Sequence, residues 1–592
     1  MTFDSQLSTF NFKLMNYKYT WAVIVIAFIA LVYASSFFAY RIDLTAEKRF
    51  SLNSSTKKLF NQVDDVIKVQ VFLTGDLPAD YKKLSLATKD FLEELKQVSN
   101  NKVVISFEKP GEDLKDDTAK AMLYDSLAHL GVVFERSDVQ ESSHEKETNQ
   151  LIIPTALVSY KDKRPIAVDL RSSKKIYKQY NVVNDIPQED VEATRNAAEA
   201  LLEFKFASAI NKLTRTVVPV IAYTIGNSEP IDRTVNDLGE SLRSEYRLGI
   251  FDLKAAYPDA SKIDVLLIVK PRTAFSDEDK LKLDQYVMNG GKIIWCIDKL
   301  HAELDSLMRS KSEYTAYDRG LNVDDILFKY GVRINDDLLQ DLNCSKLPLV
   351  VGYNPDRSPR MQRVPWPYYP LLAGVNNNPI SKNLDKVLPI FPSSIDTVKA
   401  EGISKTILLA TDSNSRSLAS PALVSVNSVK TEEDFRSFSR SYVPVVVLLE
   451  GKFKSLFANR LSTTVTDSVT KATGKPFQTK GSRESKQIVM SDADIVTNAI
   501  SQTNGPMAMG ELPFENYRFA NREFLLNCID YMVSNNGIFE TRNKEFTLRL
   551  LDKTKVEAER VQWQLINIVA PIALLILIGL FLQWQRKKKY AI

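Results

Sequence analysis

The residues able to do chemistry in this sequence fall into a few groups. Ser491-Asp492-Ala493-Asp494 sets two carboxylates two residues apart, directly after a strand-like run at 487–490. Asp298 follows another apolar run, Lys292 to Ile297, and Glu229 follows a third that begins at Val217. Open α/β sheets bind ligands outside the carboxyl ends of their strands, so Glu229, Asp298, Asp492 and Asp494 are the candidate ligand site. The Asp492/Asp494 pair could ligate a cation or act as acid and base. Asp492 is equally suited to cap a helix running on to Ile500, and that reading is preferred. The turn Thr224-Ile225-Gly226-Asn227-Ser228-Glu229 either receives a ligand through its backbone amides or is simply a tight loop.

Nucleophiles and cofactor cradles are poorly served. Cys296 ends a strand in Ile294-Trp295-Cys296-Ile297-Asp298, but a nucleophile elbow needs small flanking residues, and Trp295 and Ile297 are large. Cys296 therefore reads as a buried small hydrophobe, and so does Cys528 on the apolar face Phe524-Leu525-Cys528. Three cysteines (the third is Cys344) and three histidines (His129, His144, His301) show no metal-ligand spacing. No G-x-x-x-x-G-K-[ST] is present, and Gly290-Gly291-Lys292-Ile293 lacks both the spacing and the hydroxyl. No catalytic residue, metal or cofactor is expected. An ATPase, if one is involved, is another chain.

Alternating strand and helix patterns must position these groups. The chain has 592 residues, 44% hydrophobic and 25% charged, which excludes a disordered or collagen-like protein and suggests about three or four domains. A net charge of +4 leaves no electrostatic footprint for nucleic acid. Residues 41–213 read as a small α/β domain: a helix through Thr56, Leu59 and Phe60, a strand Lys68 to Leu73, a helix Tyr81 to Val98 and a strand Lys102 to Phe107. A polar tip at 136–150, strands at 151–160 and 165–170 and a helix Val191 to Leu213 complete it. Residues 214–535 read as a doubly wound α/β domain with a parallel sheet. Its strands are expected near 217–223, 263–269, 292–297, 406–410, 444–450 and 487–490, with helices near 233–246, 277–288 and 522–533. The proline-rich stretch 351–379 is expected as an extended insertion, with Trp366, Tyr368 and Tyr369 as a partner-docking surface or as packing for its own domain. Residues 461–486 read as a mobile loop, and 536–564 as a membrane-proximal segment with a short strand pair near 537–550.

Both ends carry long apolar runs. Residues 21–40 contain no charge, and Trp21 and Tyr40 stand where interfacial aromatics belong. A cleaved signal peptide ending near Val32-Tyr33-Ala34 is the alternative, but its apolar region would be about 7–15 residues. Residues 565–582 form the second run, between Trp563 and Trp584, followed by a basic tail at 583–592. With two transmembrane helices both termini share one side. The basic tail favours residues 1–20 and 583–592 in the cytoplasm, with the large domain outside.

Several motifs then combine. R-x-D-L-T…R-[FY]-S-L is matched by Arg41, Asp43, Leu44, Thr45, Arg49, Phe50, Ser51 and Leu52. L-L-E-G-x-F-x-S-x-F-x-N-R is matched from Leu448 through Glu450-Gly451, Phe453, Ser455, Phe457 and Asn459-Arg460. S-D-x-D stands at Ser491 to Asp494, and N-R-x-F-L-L-N-x-x-D-Y at Asn521 to Tyr531. Together they resemble the GldG family of gliding-motility-associated ABC transporter proteins of the Bacteroidetes type, over nearly the whole chain. The resemblance implies an amidotransferase-like α/β ectodomain, a membrane-anchored auxiliary role in the inner membrane, and partners in an ATPase chain and a multi-span permease chain. A two-fold transporter implies two copies per complex. Family members are often labelled substrate-binding, which keeps open solute capture at the strand ends. The turn Gly226-Asn227-Ser228-Glu229 departs from the family's G-H-G-E pattern by lacking the histidine, which weakens acid–base chemistry there.

Overall fold

The computed structural model describes residues 51–139, 148–176, 189–310, 313–426, 429, 431–503, 505–515, 517–534, 537–543 and 553–590, and, of the separate unit before Leu52, also 25, 26 and 28–30. Those five residues are helical. The rest of the expected span at 21–40, with Trp21 and Tyr40, and the motif residues from Arg41 to Phe50 lie outside the described residues.

From Leu52 onward the first elements follow local signals. Asn53 caps α1 (Ser54–Asn61) by accepting the Ser55 N–H at 3.0 Å, and the helix buries Thr56, Leu59 and Phe60. β1 (Ile67–Val71), α2 (Ala79–Val98) and β2 (Val103–Phe107) make a parallel β-α-β unit in register from Ile67 opposite Val103 to Val71 opposite Phe107. After α3 (Asp117–His129), Glu135–Val139 and Thr148–Ile152 pair as a hairpin, and β3 (Thr155–Tyr160) and β4 (Ile166–Asp169) complete a sheet ordered β2-β1-β3-β4. α4 (Val191–Thr214) lies in the same core as α1 and α2. Its buried Glu203 accepts the Asn53 N–H at 2.6 Å and the Thr56 hydroxyl at 2.7 Å, so the helix start and the long helix hold one another.

The larger sheet follows. From Val220 the chain forms β5 (Val220–Ile225), α5 (Asn236–Glu245), β6 (Arg247–Asp252), β7 (Val265–Val269), α6 (Asp277–Met288) and β8 (Lys292–Cys296). Next come α7 (Asp324–Tyr330) and a hairpin of β9 (Cys344–Tyr353) and β10 (Pro359–Pro370). Three more strands of the large sheet follow, β11 (Ile403–Ala410), β12 (Pro444–Gly451) and β13 (Ser485–Met490), with α8 (Thr463–Thr473) between the last two, and then α9 (Asn521–Val533). The order is β11-β12-β13-β8-β7-β5-β6. Neighbours from β13 to β6 run parallel, whereas β12 is antiparallel to both β11 and β13.

Helices cover both faces, which explains why β7, Val-Leu-Leu-Ile-Val, is buried at every position. Val265, Leu267 and Val269 join one core with Leu238 and Leu242 of α5 and Phe524, Leu525 and Ile529 of α9. Leu266 and Ile268 point the other way, against Leu283 and Val287 of α6 and Ile326 and Leu327 of α7. The sheet is therefore the expected doubly wound α/β type, modified by antiparallel pairing at one edge. β6 has no counterpart among the expected strands, because its half-exposed Arg-Leu-Gly-Ile-Phe-Asp lacks the apolar run of the other parallel strands.

Three expectations need correction. Residues 461–486 are not a loop throughout: α8 occupies Thr463–Thr473 and buries Val469, and β13 starts at Ser485. The Ser/Thr-rich composition reflects the exposed face of a short helix. Ile538–Asn543 is a 3₁₀ helix rather than part of a strand pair, while 544–552 lies outside the described residues. Asp492 does cap, but the capped element is a single 3₁₀ turn, Ala493–Ile495.

The chain ends in α10 (Lys553–Tyr590). Glu559–Lys588 within it has a mean hydropathy of 2.8 and none of it is buried, so it is long and apolar enough to cross a membrane. Exposed Trp563 and Trp584 stand about 31 Å apart along it at 1.5 Å per residue, close to the thickness of a bilayer's hydrocarbon.

Candidate functional site

Strand register builds the site. Cys296 of β8 lies opposite both Met490 of β13 and Val269 of β7, so the residues just beyond these strand ends share one edge. Asp298 and Asp492 each follow their strand by two residues, and Lys270 follows β7 directly with φ +49°. The 3₁₀ turn after Asp492 then brings Asp494 back, and carboxylate oxygens of Asp298, Asp492 and Asp494 lie within 4.8 Å of one another.

Three of the four predicted site residues therefore meet, around a lysine the sequence reading did not single out. The Lys270 ammonium lies 2.5 Å from Asp494 Oδ1 and 3.3 Å from Asp298 Oδ2, and its side chain is only 12% exposed. Backbone and hydroxyl groups donate to all three carboxylates. Ala493 N–H donates to Asp298 at 2.7 Å, Thr497 Oγ1 donates to Asp494 at 2.7 Å, and Asp494 N–H donates to Asp492 at 2.8 Å. The Ile390 N–H donates to the other Asp492 oxygen. Burial pushes the Asp492 carboxyl well above its ordinary range, and the neighbouring Asp494 and Asp298 push it further. For Lys270 burial opposes the charge, but Asp298 and Asp494 outweigh it and hold the ammonium's pKa above its usual value.

Three carboxylates are a hard-cation donor set, yet Lys270 already supplies the positive charge among them. As folded, the cluster is a closed ion-pair lock joining the ends of β7, β8 and β13. A lysine after a buried strand would have been the available signal, and only register shows which carboxylates it meets.

Glu229 does not belong to this group. It closes its own turn, accepting the Asn227 N–H at 2.6 Å on one oxygen, while the other is buried without a hydrogen-bond partner. Burial raises its pKa, and the charged groups it senses are Lys254 and Asp279. Gly226 at φ +126° and Ser228 at φ +60° make this a strained tight turn. Cys296 is fully buried with its sulfur 3.8 Å from Met490 Sδ, and burial pushes its thiol well up, the reverse of an activated nucleophile. Cys528 lies in the same core.

Trp366, Tyr368 and Tyr369 are 2%, 0% and 1% exposed, so they present no surface to a partner. They close around Phe391, with ring centroids 5.4, 5.6 and 5.7 Å away. Trp366 Nε1 donates to the Ser425 carbonyl at 3.3 Å, and the Tyr368 hydroxyl to the Leu423 carbonyl at 2.9 Å. Tyr369 faces the acid cluster: burial, then Asp494, raises its hydroxyl's pKa. Of the prolines in this stretch, Pro359, Pro365, Pro367 and Pro370 sit in one strand of a two-stranded hairpin outside the large sheet, where a missing ladder donor is tolerated.

Other motif residues act as brackets. Ser455 Oγ and the Leu456 N–H donate to buried Asp284 at 2.6 and 2.9 Å, joined by the Tyr330 hydroxyl at 2.9 Å. Asn521 donates to the Leu388 carbonyl and accepts the Leu388 N–H, both at 2.8 Å. Asp530 lies 3.0 Å from Lys212 and 3.2 Å from Arg215, tying α9 to the end of α4.

Residues 218–528, the run from β5 into α9, match the family described as "ABC-type uncharacterized transport system". Residues 46–159 match a domain of unknown function. An uncharacterized protein of Borreliella burgdorferi is 19% identical over 567 residues, covering 93% of this chain and 94% of its own. Among solved structures, the mmIFT52 N-terminal domain covers 53% of this chain and 98% of its own at 12% identity and a TM-score of 0.29. A putative ThuA-like protein from Parabacteroides merdae covers 53% and 90% at 12% identity and a TM-score of 0.25.

Proposed function

We propose, from the premise that this chain belongs to the ABC-type uncharacterized transport system family, a mechanical role for it in a transporter complex. The family makes it a transporter-associated auxiliary component. In our reading it is a non-enzymatic subunit anchored in the inner membrane through 21–40 and 565–582, with both termini cytoplasmic and 41–560 in the periplasm. An ATPase chain and a permease chain are its partners, two copies serve one complex, and the work done is gliding motility or cell-envelope secretion.

The observation that carries this reading is α10. It is one uninterrupted helix, Lys553–Tyr590, about 57 Å long at 1.5 Å per residue. That is almost twice a bilayer's hydrocarbon thickness of about 30 Å. Pro571 leaves one backbone hydrogen bond of this helix unmade, yet the helix continues on both sides of it, so it links displacement of a membrane partner to the segment at its outer end. Two anchors hold the α/β body over the permease at high effective concentration. The acid cluster supports the non-enzymatic reading, since Lys270 already pairs with Asp298 and Asp494, two of the groups that would otherwise bind a solute.

Affinity purification in mild detergent, followed by mass spectrometry, tests the proposal. An ATPase and a permease are expected in fixed ratio, and both are lost when 565–582 is deleted. Recovery of the intact chain alone, or normal copurification after the deletion, overturns it.

A further inference from the structure

Away from the strand ends, a cavity of about 240 Å³ opens beside residues 373–386. Lys174, Lys382 and Lys386 line it, against one carboxylate, Asp385. Asp385 is already engaged, accepting the Tyr517 hydroxyl and, at 2.8 Å, the Lys386 N–H. Lys386 lies 3.8 Å from Asp412, a loose pairing. Lysines from two distant stretches of chain therefore line one cavity.

Its wall holds an unmet hydrogen-bonding group. Ser381 is 2% exposed, and its N–H donates to the Asn378 carbonyl at 3.2 Å. Its hydroxyl has no hydrogen-bond partner among the described residues. A buried hydroxyl left this way is unfavourable unless a ligand completes it. Gly374 packs against the same serine: a Cβ there would fall 2.7 Å from the Ser381 carbonyl oxygen and 3.0 Å from its Oγ. The wall is braced from behind by fully buried Arg542, whose Nε donates to the Lys382 carbonyl at 2.8 Å, and by Asn383, which donates to the Arg542 carbonyl at 3.4 Å. The lining is preorganised rather than a loose surface loop.

We propose that this cavity binds the phosphate group of a small phosphate ester, free or as a phospholipid headgroup. A tetrahedral, multiply charged group accepts from several directions at once, which suits a lining that combines lysines from two stretches of chain with a serine hydroxyl. The volume is below the roughly 300–1,000 Å³ of sites for drug-sized ligands, which excludes a nucleotide and fits a headgroup-sized ester. This site stands or falls independently of the mechanical role proposed above.

The test uses the full chain in maltoside detergent, which carries no phosphate, titrated calorimetrically with glycerol 3-phosphate and, as neutral control, glycerol. Saturable one-to-one binding is expected for the ester alone. Lys174→Glu, at an exposed position, weakens it at least tenfold, and Ser381→Ala weakens it several-fold, with melting temperatures unchanged. Repeating the titration in phosphatidylglycerol nanodiscs separates the sources. Competition that weakens the ester's apparent affinity assigns the site to a lipid headgroup, whereas unchanged affinity assigns it to a soluble ester. Absence of saturable binding in detergent, equal binding of glycerol, or full affinity in Lys174→Glu overturns the proposal.

Discussion

Lys270→Met removes the cation placed between Asp298 and Asp494 and keeps a side chain of similar length. Both carboxylates are mostly buried, at 10% and 15% exposure, so neither recovers full hydration. Breaking a buried ion pair by deleting one partner costs about 3–5 kcal/mol. The residual exposure puts this case near the lower bound, about 3 kcal/mol, or roughly a hundredfold in the folded-to-unfolded ratio. The assay is proteolysis of the full chain in detergent at rising urea, with the cleavage sites mapped. Cleavage should move to lower urea within the large sheet, around β7, β8 and β13. Adding Asp494→Asn to the methionine variant should restore about half of the loss, because the nearer uncompensated charge is gone. A divalent cation should stabilise Lys270→Met, by about 2.7 kcal/mol at a hundred times its Kd, and leave the wild type unchanged. A single variant within about 0.5 kcal/mol of wild type, or one that Asp494→Asn weakens further, would refute the lock and return the triad to the list of open ligand sites.

Further outcomes follow from the same geometry. Asp492 has a raised pKa when folded, so its folded state binds more protons than its unfolded state and stability falls as pH rises above about 3.8; urea titrations from pH 4 to 8 should show Asp492→Asn gaining steadily on the wild type. Asp530 is the opposite case: burial opposes its charge, but Lys212 and Arg215 hold its pKa below 3.8, so its contribution is present above that value and lost on acidification. Asp530→Ala should cost about 3 kcal/mol at pH 7, measured by urea midpoint, with the deficit shrinking as the pH falls below about 4. Gly451 sits at φ +147°, and a Cβ there would fall 2.2 Å from the Gly402 carbonyl oxygen. Gly451→Ala should lower stability by at least about 2 kcal/mol, read as a fall in melting temperature, with detergent-extracted full chain as the sample.

Local patterning made much of the framework legible. Apolar runs such as Ile293-Ile294-Trp295-Cys296, with hydrophobic residues reaching both faces, announced strands covered on two sides. The Asn-Gly-Gly after Met288 marked where α6 stops. The candidate carboxylates were found because strand termini are visible in sequence, and three of the four do share one edge. Glu229 was grouped with them by the same rule and separates because its side chain turns back to its own backbone. For the aromatic trio the sequence left two readings open, because composition favours Trp and Tyr at interfaces and in cores alike, and burial selects packing within its own domain.

Linear patterning carries the periodicities: which segments bury two faces, where helices begin and end, and that residues 565–582 are apolar enough to lie in a bilayer. Those properties depend on residues within a few positions of one another, so a linear reading contains them. Partners come from the fold. It set β12 antiparallel beside β13, placed Lys270 between Asp494 and Asp298 across 224 and 28 positions, and folded Trp366, Tyr368 and Tyr369 around Phe391. It also carried Lys174 to the cavity beside Ser381. A charge or an aromatic ring records in sequence only that it needs a partner. Which partner it gets is fixed by strand register and sheet order, and these are settled by the summed packing of the whole core.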